Sequence, residues 1–454
     1  MTTVSAAHQA FAALRAREFA RLEANGHVYV DYTGGGLYAA SQVRRHAELL
    51  ADGIFGNPHS LSPASIRAGE LVEAARARVL SYFRADPEEY VCIFTANASH
   101  ALKLVGESYP FDEAGRFTLT FDNHNSVNGI REFARSHGAP TTYVPLGPDL
   151  RVEEAALDEE LAQRGSATNA LLAYPAQSNF SGVQHSLAWI ERAHAAGWDV
   201  LLDAAAFVPS NRLDLSRWHP DFVTLSFYKM FGYPTGLGAL IARRAVLSKL
   251  RRPWFAGGTI SVASVQADRH VFAPGAAAFE DGTVDYLGIP AITFGLDLMD
   301  EVGVEAIHDH VTELAGDCLR ALVAMAHPNG APVTSIFGPT TVEERGATIA
   351  LNFFRADGQL IDHREVERRA AARGISLRTG CFCNPGAGEV ALGLSRDEID
   401  RCFPLDGGGG GFEHFRECID PTKGTGAVRI SFGIASNEAD LRAVLDLAAS
   451  LAGS

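Results

Sequence analysis

The chain has 454 residues, of which 47% are hydrophobic and 20% charged, enough for a large buried core and, at roughly 100–200 residues per domain, for two domains. Its 39 Lys+Arg against 54 Asp+Glu leave a net charge of −15. That balance disfavours nucleic acid and anionic membrane surfaces as partners, so an anionic ligand has to be caught by local donors.

The opening MTTVSAAHQAFAALRAREFARLEANG reads as an amphipathic helix, not a signal peptide. No run approaches the roughly 18 apolar residues of a membrane span; the expected compartment is the cytoplasm. From about residue 28 to 245, β-rich runs alternate with helical patterns: VYVDYT (28–33), YVCIFTA (90–96), FTLTFD (117–122), TTYVPL (141–146), ALLAYPA (170–176), DVLLDAA (199–205), FVTLSF (222–227) and LGALIAR (237–243). Residues 65–85 and 186–197 lie between them as helices. Several runs are continuously apolar, as in a sheet buried on both faces, which predicts an α/β fold with a mostly parallel sheet. Residues 286–327 then read as one long helix, and TIALNFF (348–354), ISLRT (375–379) and AVRISFG (427–433) as strands of a smaller α+β unit closed by a helix over 437–453. DGGGGGF (406–412) reads as a loop and lacks the strand and Lys-Ser/Thr context of a phosphate cradle.

Six cysteines, Cys92, Cys318, Cys381, Cys383, Cys402 and Cys418, are too few to predict a disulfide framework. Cys92 and Cys318 read as small buried hydrophobes. Cys381-x-Cys383 followed by Cys402 and Cys418 lacks the usual zinc spacing, and no metal is expected.

The most informative stretch is TLSFYKMFGYPTGLGALIAR (224–243). Lys229 directly follows an apolar strand, in a turn with Gly and Pro. It is either a snorkelling strand-end lysine or an amine made nucleophilic by desolvation, as in a Schiff base with pyridoxal phosphate (PLP). Such a cofactor needs an anion for its pyridinium nitrogen. Asp203, at the end of the preceding apolar strand, has the right chemistry and also that of a plain helix cap. The phosphate needs backbone N–H groups at a helix start; FTANASHALKLVGE offers Thr95, Asn97, Ala98 and Ser99, though the segment alone reads equally well as an ordinary capped helix, and Ser226 and Tyr228 add hydroxyls. His124 follows another strand, where it could stack on the ring or move a proton; a lone His is more often structural, but this one joins a set of strand-end polar residues. Asn179 suits the ring hydroxyl. Arg429, inside an apolar strand, requires an anion: a substrate carboxylate or an internal carboxylate.

These residues sit in segments that resemble class V fold-type I PLP enzymes, most closely the N-terminal cysteine-desulfurase domain of molybdenum cofactor sulfurases. The resemblance runs through YVDYTGGGLY, GNPHS, IFTANASHALKLVGESYPF, DNHNSVNGIRE, YPAQSNFSG, LLDAAAFVPS, SFYKMFGYPTGLGAL, FEDGT, RTGCFCNPG and VRISFG. It implies a large PLP-binding domain over 28–285 with a seven-stranded sheet, and a small domain formed by 1–27 and 286–454. By resemblance Lys229 is the Schiff-base lysine, Asp203 the pyridinium partner, His124 the stacked ring and Asn179 the ring-hydroxyl contact. Ala98, Ser99, Ser226 and Tyr228 are phosphate contacts, with Thr283 reaching the cofactor of a second subunit in a homodimer. Arg429 is the carboxylate clamp. Cys383 falls where related desulfurases, with a pattern like RTGHHC, carry their nucleophile, and Arg378 is a neighbour that could favour its thiolate. Asn97 stands where the family's phosphate turn has glycine. Gly388 and Glu389 lie where eukaryotic members carry a further cysteine, and the chain holds no counterpart of those sulfurases' C-terminal domain.

The implied reaction takes sulfur from L-cysteine, or a related amino acid, as a Cys383 persulfide and releases alanine. The sulfur acceptor is not identified by the sequence. The alternatives are another class V reaction (C–S lysis, racemisation or epimerisation, transamination) and a non-catalytic scaffold, against which the pairing of Lys229 with Asp203 argues.

Overall fold

A computed structural model describes residues 6–403, 411–420 and 422–452. Seven strands form one sheet in the order Tyr90–Thr95, Gly238–Arg243, Phe222–Ser226, Asp199–Asp203, Ala170–Pro175, Arg116–Thr120, Thr141–Val144. Gly238–Arg243 runs antiparallel to both neighbours and every other pairing is parallel. The four central strands from Gly238–Arg243 to Ala170–Pro175 are buried almost throughout, because helices cover both faces; that is why their sequences are continuously apolar. Pro175 pairs with Asp203, Asp203 with Thr224, and Ser226 with Gly238, so Asp203 and Ser226 reach one edge of the sheet. Open α/β sheets bind ligands at the carboxyl ends of their strands.

The run VYVDYT departs from expectation. Only Val28–Tyr29 is a strand, and it pairs with Ile375–Ser376 rather than with the large sheet. Asp31 bridges to Ser431. The segment therefore lies along the second sheet, Thr334–Phe337, Thr348–Phe354, Ala427–Ser431 and Arg378–Gly380, which is antiparallel throughout. The long helix expected over 286–327 is two helices, Ala291–Val302 and Val304–Ala324, separated at Gly303, whose φ of 85° a side chain would disfavour. The N-terminal helix Ala6–Glu18 is tied to the C-terminal helix Glu438–Ala452 by a buried Arg15–Asp440 ion pair of 2.6 Å. Of DGGGGGF, residues 406–410 lie outside the described residues, and Gly411 and Phe412 open the helix Gly411–Cys418. Among the described residues no helix is long and apolar enough to cross a membrane.

The cysteines divide differently from the expectation. Cys402 and Cys418 are joined as a disulfide, fixing the helix Arg396–Cys402 to Gly411–Cys418; two cysteines 16 residues apart at the ends of adjacent helices can meet where a count of six over the whole chain gave no hint. Cys92 and Cys318 are buried free thiols, each pushed up to about 12 by burial. Labelling of the denatured, unreduced protein with iodoacetamide is expected to modify Cys92, Cys318, Cys381 and Cys383 and to spare Cys402 and Cys418 until a reductant is added. Labelling of all six before reduction would contradict the bridge.

Candidate active site

A cavity of about 160 Å³ opens at the sheet edge, lined among others by Ala98, Ser99, His124, Asn179, Asp203, Ser226, Tyr228 and Lys229. With Asn97, nine of the residues singled out from the sequence thus face one space. Lys229 lies in the short helix Phe227–Phe231, directly after its strand. The helix ends at Gly232, at φ 77°, where a Cβ would meet Leu37 C at 2.4 Å; only glycine lets the 36–38 backbone pass this close. Lys229 keeps a little surface toward the cavity but is otherwise enclosed, and makes no ion pair or hydrogen bond among the described residues. Burial lowers its pKa, against the opposing pull of Asp203.

Asp203 Oδ1 accepts from the Ala205 N–H at 3.0 Å, while Oδ2 accepts no hydrogen bond among the described residues. The helix-cap reading of this residue is met by one oxygen only. His124 Nδ1 accepts from the Ser126 N–H at 3.1 Å, which leaves the ring proton on Nε2. Burial lowers the His124 pKa below 6.5, so the ring is neutral at pH 7.

The anion cradle is the start of the helix Ala98–Ser108. Asn97 caps it, Oδ1 accepting from the His100 N–H at 2.9 Å. Its φ of −177° is ordinary extended backbone, so asparagine sits in this turn without strain. The Ala98 N–H donates to Ser226 Oγ at 2.8 Å, and Ser99 Oγ lies 2.6 Å from Ser126 Oγ. Gly238 permits this packing, since a Cβ there would approach Asn97 C at 2.6 Å. Thr95 is different: its hydroxyl donates to Asn97 O at 2.9 Å, and it lines a separate cavity with His100, Glu280 and Thr283. Thr283 is therefore away from the Lys229 cavity of its own chain.

Arg429 and Arg378 are directly opposed across two strands, a like-charge pair that would be destabilising alone. Asp31 resolves it. Arg378 donates to Asp31 Oδ2 through Nε (3.0 Å) and NH2 (2.7 Å), and Arg429 NH2 donates to Oδ1 at 3.0 Å. The internal carboxylate weighed for Arg429 is thus present, and the charge of Arg378 is answered by Asp31. Arg429 NH1 also donates to Asn179 O at 2.9 Å, yet Nε is buried without a partner. Sequence reasoning did not single out Asp31, although an acid inside the apolar run VYVDYT was the signal.

Cys383 sits in a four-residue turn closed by the Asn384 N–H donating to Cys381 O at 3.0 Å. Phe382 and Cys383, its central residues, both have φ 55°. A side-chain-bearing residue in that region costs on the order of 1–3 kcal/mol. Asn179 Nδ2 donates to Phe382 O at 2.7 Å, and the Asn125 N–H to Cys383 O at 2.7 Å. Asn384, fully buried, donates to Asp122 O (2.6 Å) and Asn179 Oδ1 (2.9 Å). Asn179 thus spends one donor and its acceptor on the thiol-bearing turn, leaving its second N–H for the cavity. The Cys383 thiol is exposed and does not line the Lys229 cavity itself; its turn is joined to that cavity through Asn179. Cys381, two residues away, faces an apolar cavity beside Phe180, Gly388 and Phe415. Asn384, Asn125 and Gln177, which also lines the Lys229 cavity, were missed from sequence; the Asn-Pro step at 384–385 was a legible helix start.

An enclosed amine, a carboxylate with one free oxygen, a neutral imidazole and a helix N-terminus with hydroxyls around one space fit an aromatic aldehyde bearing a phosphate. Residues 28–444 match the family model Aminotransferase class-V. Curated relatives include molybdenum cofactor sulfurases of Arabidopsis thaliana, 37% identical over 95% of this chain and 57% of that one, and of Homo sapiens, 38% identical over 95% and 50%. The chain spans about half the length of these relatives. Among solved structures, an apo cysteine desulfurase from Thermococcus onnurineus NA1 superposes with a TM-score of 0.81 at 20% identity, covering 97% of this chain and 98% of that one. The chain belongs to the aminotransferase class V family, has the fold-type I architecture, and its cleft is built for pyridoxal 5′-phosphate.

Proposed function

We propose that the chain is a cysteine desulfurase, taking sulfur from L-cysteine as a persulfide on Cys383 and releasing alanine. The observation that supports this reading is the turn bearing Cys383, whose Phe382 carbonyl accepts a hydrogen bond from Asn179, a residue that lines the Lys229 cavity. Asp203 Oδ2 would hold the pyridine nitrogen, Lys229 the aldehyde carbon through a Schiff base, and His124 one ring face. The Ser99 amide with Ser226 and Tyr228 would hold the phosphate, the Ala98 N–H fixing the Ser226 hydroxyl or turning to the phosphate in its place, completed by Thr283 of a second copy in a homodimer. Bound there, PLP supplies an electron sink for the substrate α-carbon.

This chain's residues do the rest. Arg429 lies just behind the cavity lining, held by Asp31 and Asn179 O, and would serve as the substrate-carboxylate clamp by exchanging one of these bonds for the substrate. The Lys229 amine, whose ammonium form burial disfavours, accepts the α-proton. The Cys383 thiolate then attacks the substrate sulfur. The S–S bond forms as the Cβ–S bond breaks; Cβ takes the electron pair and a proton, and the α-proton held by Lys229 returns to Cα to give alanine. A thiol suits this role because its thiolate is a soft nucleophile at moderate pKa. The acceptor of the sulfane sulfur is not specified by these residues. Residues 28–285 then form the large domain, and 1–27 with 286–454 the small one, in accord with the Arg15–Asp440 link. The cytoplasm is the compartment proposed.

The test is incubation of the holoenzyme with L-cysteine. Alanine in stoichiometric yield and a persulfide mapped by mass spectrometry to Cys383 are expected; pyruvate and ammonia, or D-cysteine, would replace this reading with lysis or racemisation.

The lowered Lys229 pKa has a measurable consequence. Covalent capture of PLP by the apoprotein requires the free amine, so its rate is expected to rise with pH to a midpoint below the 10.5 of an ordinary lysine. In the apoprotein the unfolded chain binds more protons between that lowered pKa and 10.5, so this group makes stability rise with pH across that window. A capture midpoint at or above 10.5 would show that Lys229 is not enclosed as described.

A further inference from the structure

We propose that Phe382 is a positioning residue: its ring latches the turn that carries the Cys383 thiol and keeps that thiol apart from Cys381, which lines the apolar cavity beyond it. The inference rests on the desulfurase reading for its catalytic consequence, but not for its geometry.

Two successive residues with side chains in the left-handed region, both at φ 55°, have no local reason to stay there, since such turns favour glycine and asparagine. Contacts from outside the turn must hold them. The Phe382 ring is buried, with Phe180 on one side (centroids 5.2 Å apart) and the Arg429 guanidinium over it at 4.7 Å. The Phe382 carbonyl is taken by Asn179 and the Cys383 carbonyl by Asn125, while Asn384 closes the turn from beyond. Cys383 itself is exposed and contributes no packing of its own. Its direction is therefore imposed by its neighbours, and the one large apolar side chain among them is Phe382. The two thiols are sorted as a result: Cys381 lines the apolar cavity, whereas Cys383, two residues on, does not. Arg429 grips the ring with the same guanidinium that keeps a free Nε, so the latch stands beside the group assigned to the substrate carboxylate.

The experiment compares Phe382→Ala, Phe382→Gly and Phe382→Leu in a Cys381→Ser background, so that alkylation in the native holoenzyme reads Cys383. Phe382→Ala is expected to keep cofactor absorbance and affinity, to speed Cys383 alkylation several-fold, and to lower kcat for L-cysteine by ~10–100-fold with little change in KM, the scale of a small misplacement of a reacting group. Phe382→Gly, which frees the backbone but supplies no ring, is expected to behave like Phe382→Ala. Phe382→Leu, still apolar and bulky, is expected to recover most of both readouts. Unchanged alkylation and kcat in Phe382→Ala would overturn the latch, as would wild-type behaviour of Phe382→Gly. If the Phe382 proteins show the alkylation change while wild type forms no persulfide, the latch stands and the desulfurase reading falls. If wild type forms the persulfide and alkylation is indifferent to residue 382, the latch falls alone.

Discussion

Replacing Lys229 by alanine is expected to remove covalent PLP and to lower turnover by at least ~10³-fold, since one amine both fixes the cofactor and moves the α-proton, and proton transfer alone contributes ~10²–10⁴-fold. Its neighbours explain why no other lysine substitutes. The sheet delivers position 229 through a buried strand, and Gly36 and Gly232 let two backbone segments close around it: the Gly36 N–H donates to Tyr228 O at 2.9 Å. The Asp203 carboxylate and the cradle at Ala98 are untouched by the change, so the variant is expected to bind PLP reversibly while losing the absorbance of the covalent form. Retained covalent absorbance with retained turnover would remove Lys229 from the site.

The second large effect is expected of Cys383→Ala. Loss of a nucleophile that has no substitute costs on the order of 10³-fold or more, and here alanine production from L-cysteine and the persulfide are expected to disappear together. The variant is expected to bind PLP as wild type does, because the residues lining the cavity do not include position 383. Cys381→Ala, by contrast, is expected to retain alanine production, since Cys381 faces the apolar cavity rather than Lys229. Alanine produced at the wild-type rate by Cys383→Ala would assign the cleft to lyase or epimerase chemistry instead.

Much of this architecture was legible before any coordinates because its strands are short, apolar and buried on both faces, and seven of the eight runs read between residues 28 and 245 became the large sheet. The eighth, VYVDYT, has the same composition, but nothing in its local pattern tells which sheet it joins; its partners, at 375–376 and 431, lie hundreds of residues away. The break at Gly303 was hidden because apolar spacing continues across it, while the Cys402–Cys418 bridge depends on how two helices meet. In the cleft, strand-end residues such as Asp203 and Lys229 announced themselves by polarity at the end of an apolar run. The residues that hold other residues did not. Asp31 between two opposed arginines, Asn384 against Asn179, and Phe382 beneath Arg429 act through contacts spanning distant segments, which residue type and spacing do not encode.

All of these assignments rest on Lys229 and Asp203 addressing one cofactor from two strand ends. Borohydride reduction of the PLP-loaded protein, followed by peptide mapping in wild type and Asp203→Asn, tests this most directly. A pyridoxyl adduct is expected on Lys229 and on no other lysine, with the cofactor's absorbance shifted and its retention weakened when Asp203 is changed. An adduct elsewhere, or a cofactor indifferent to position 203, would contradict it.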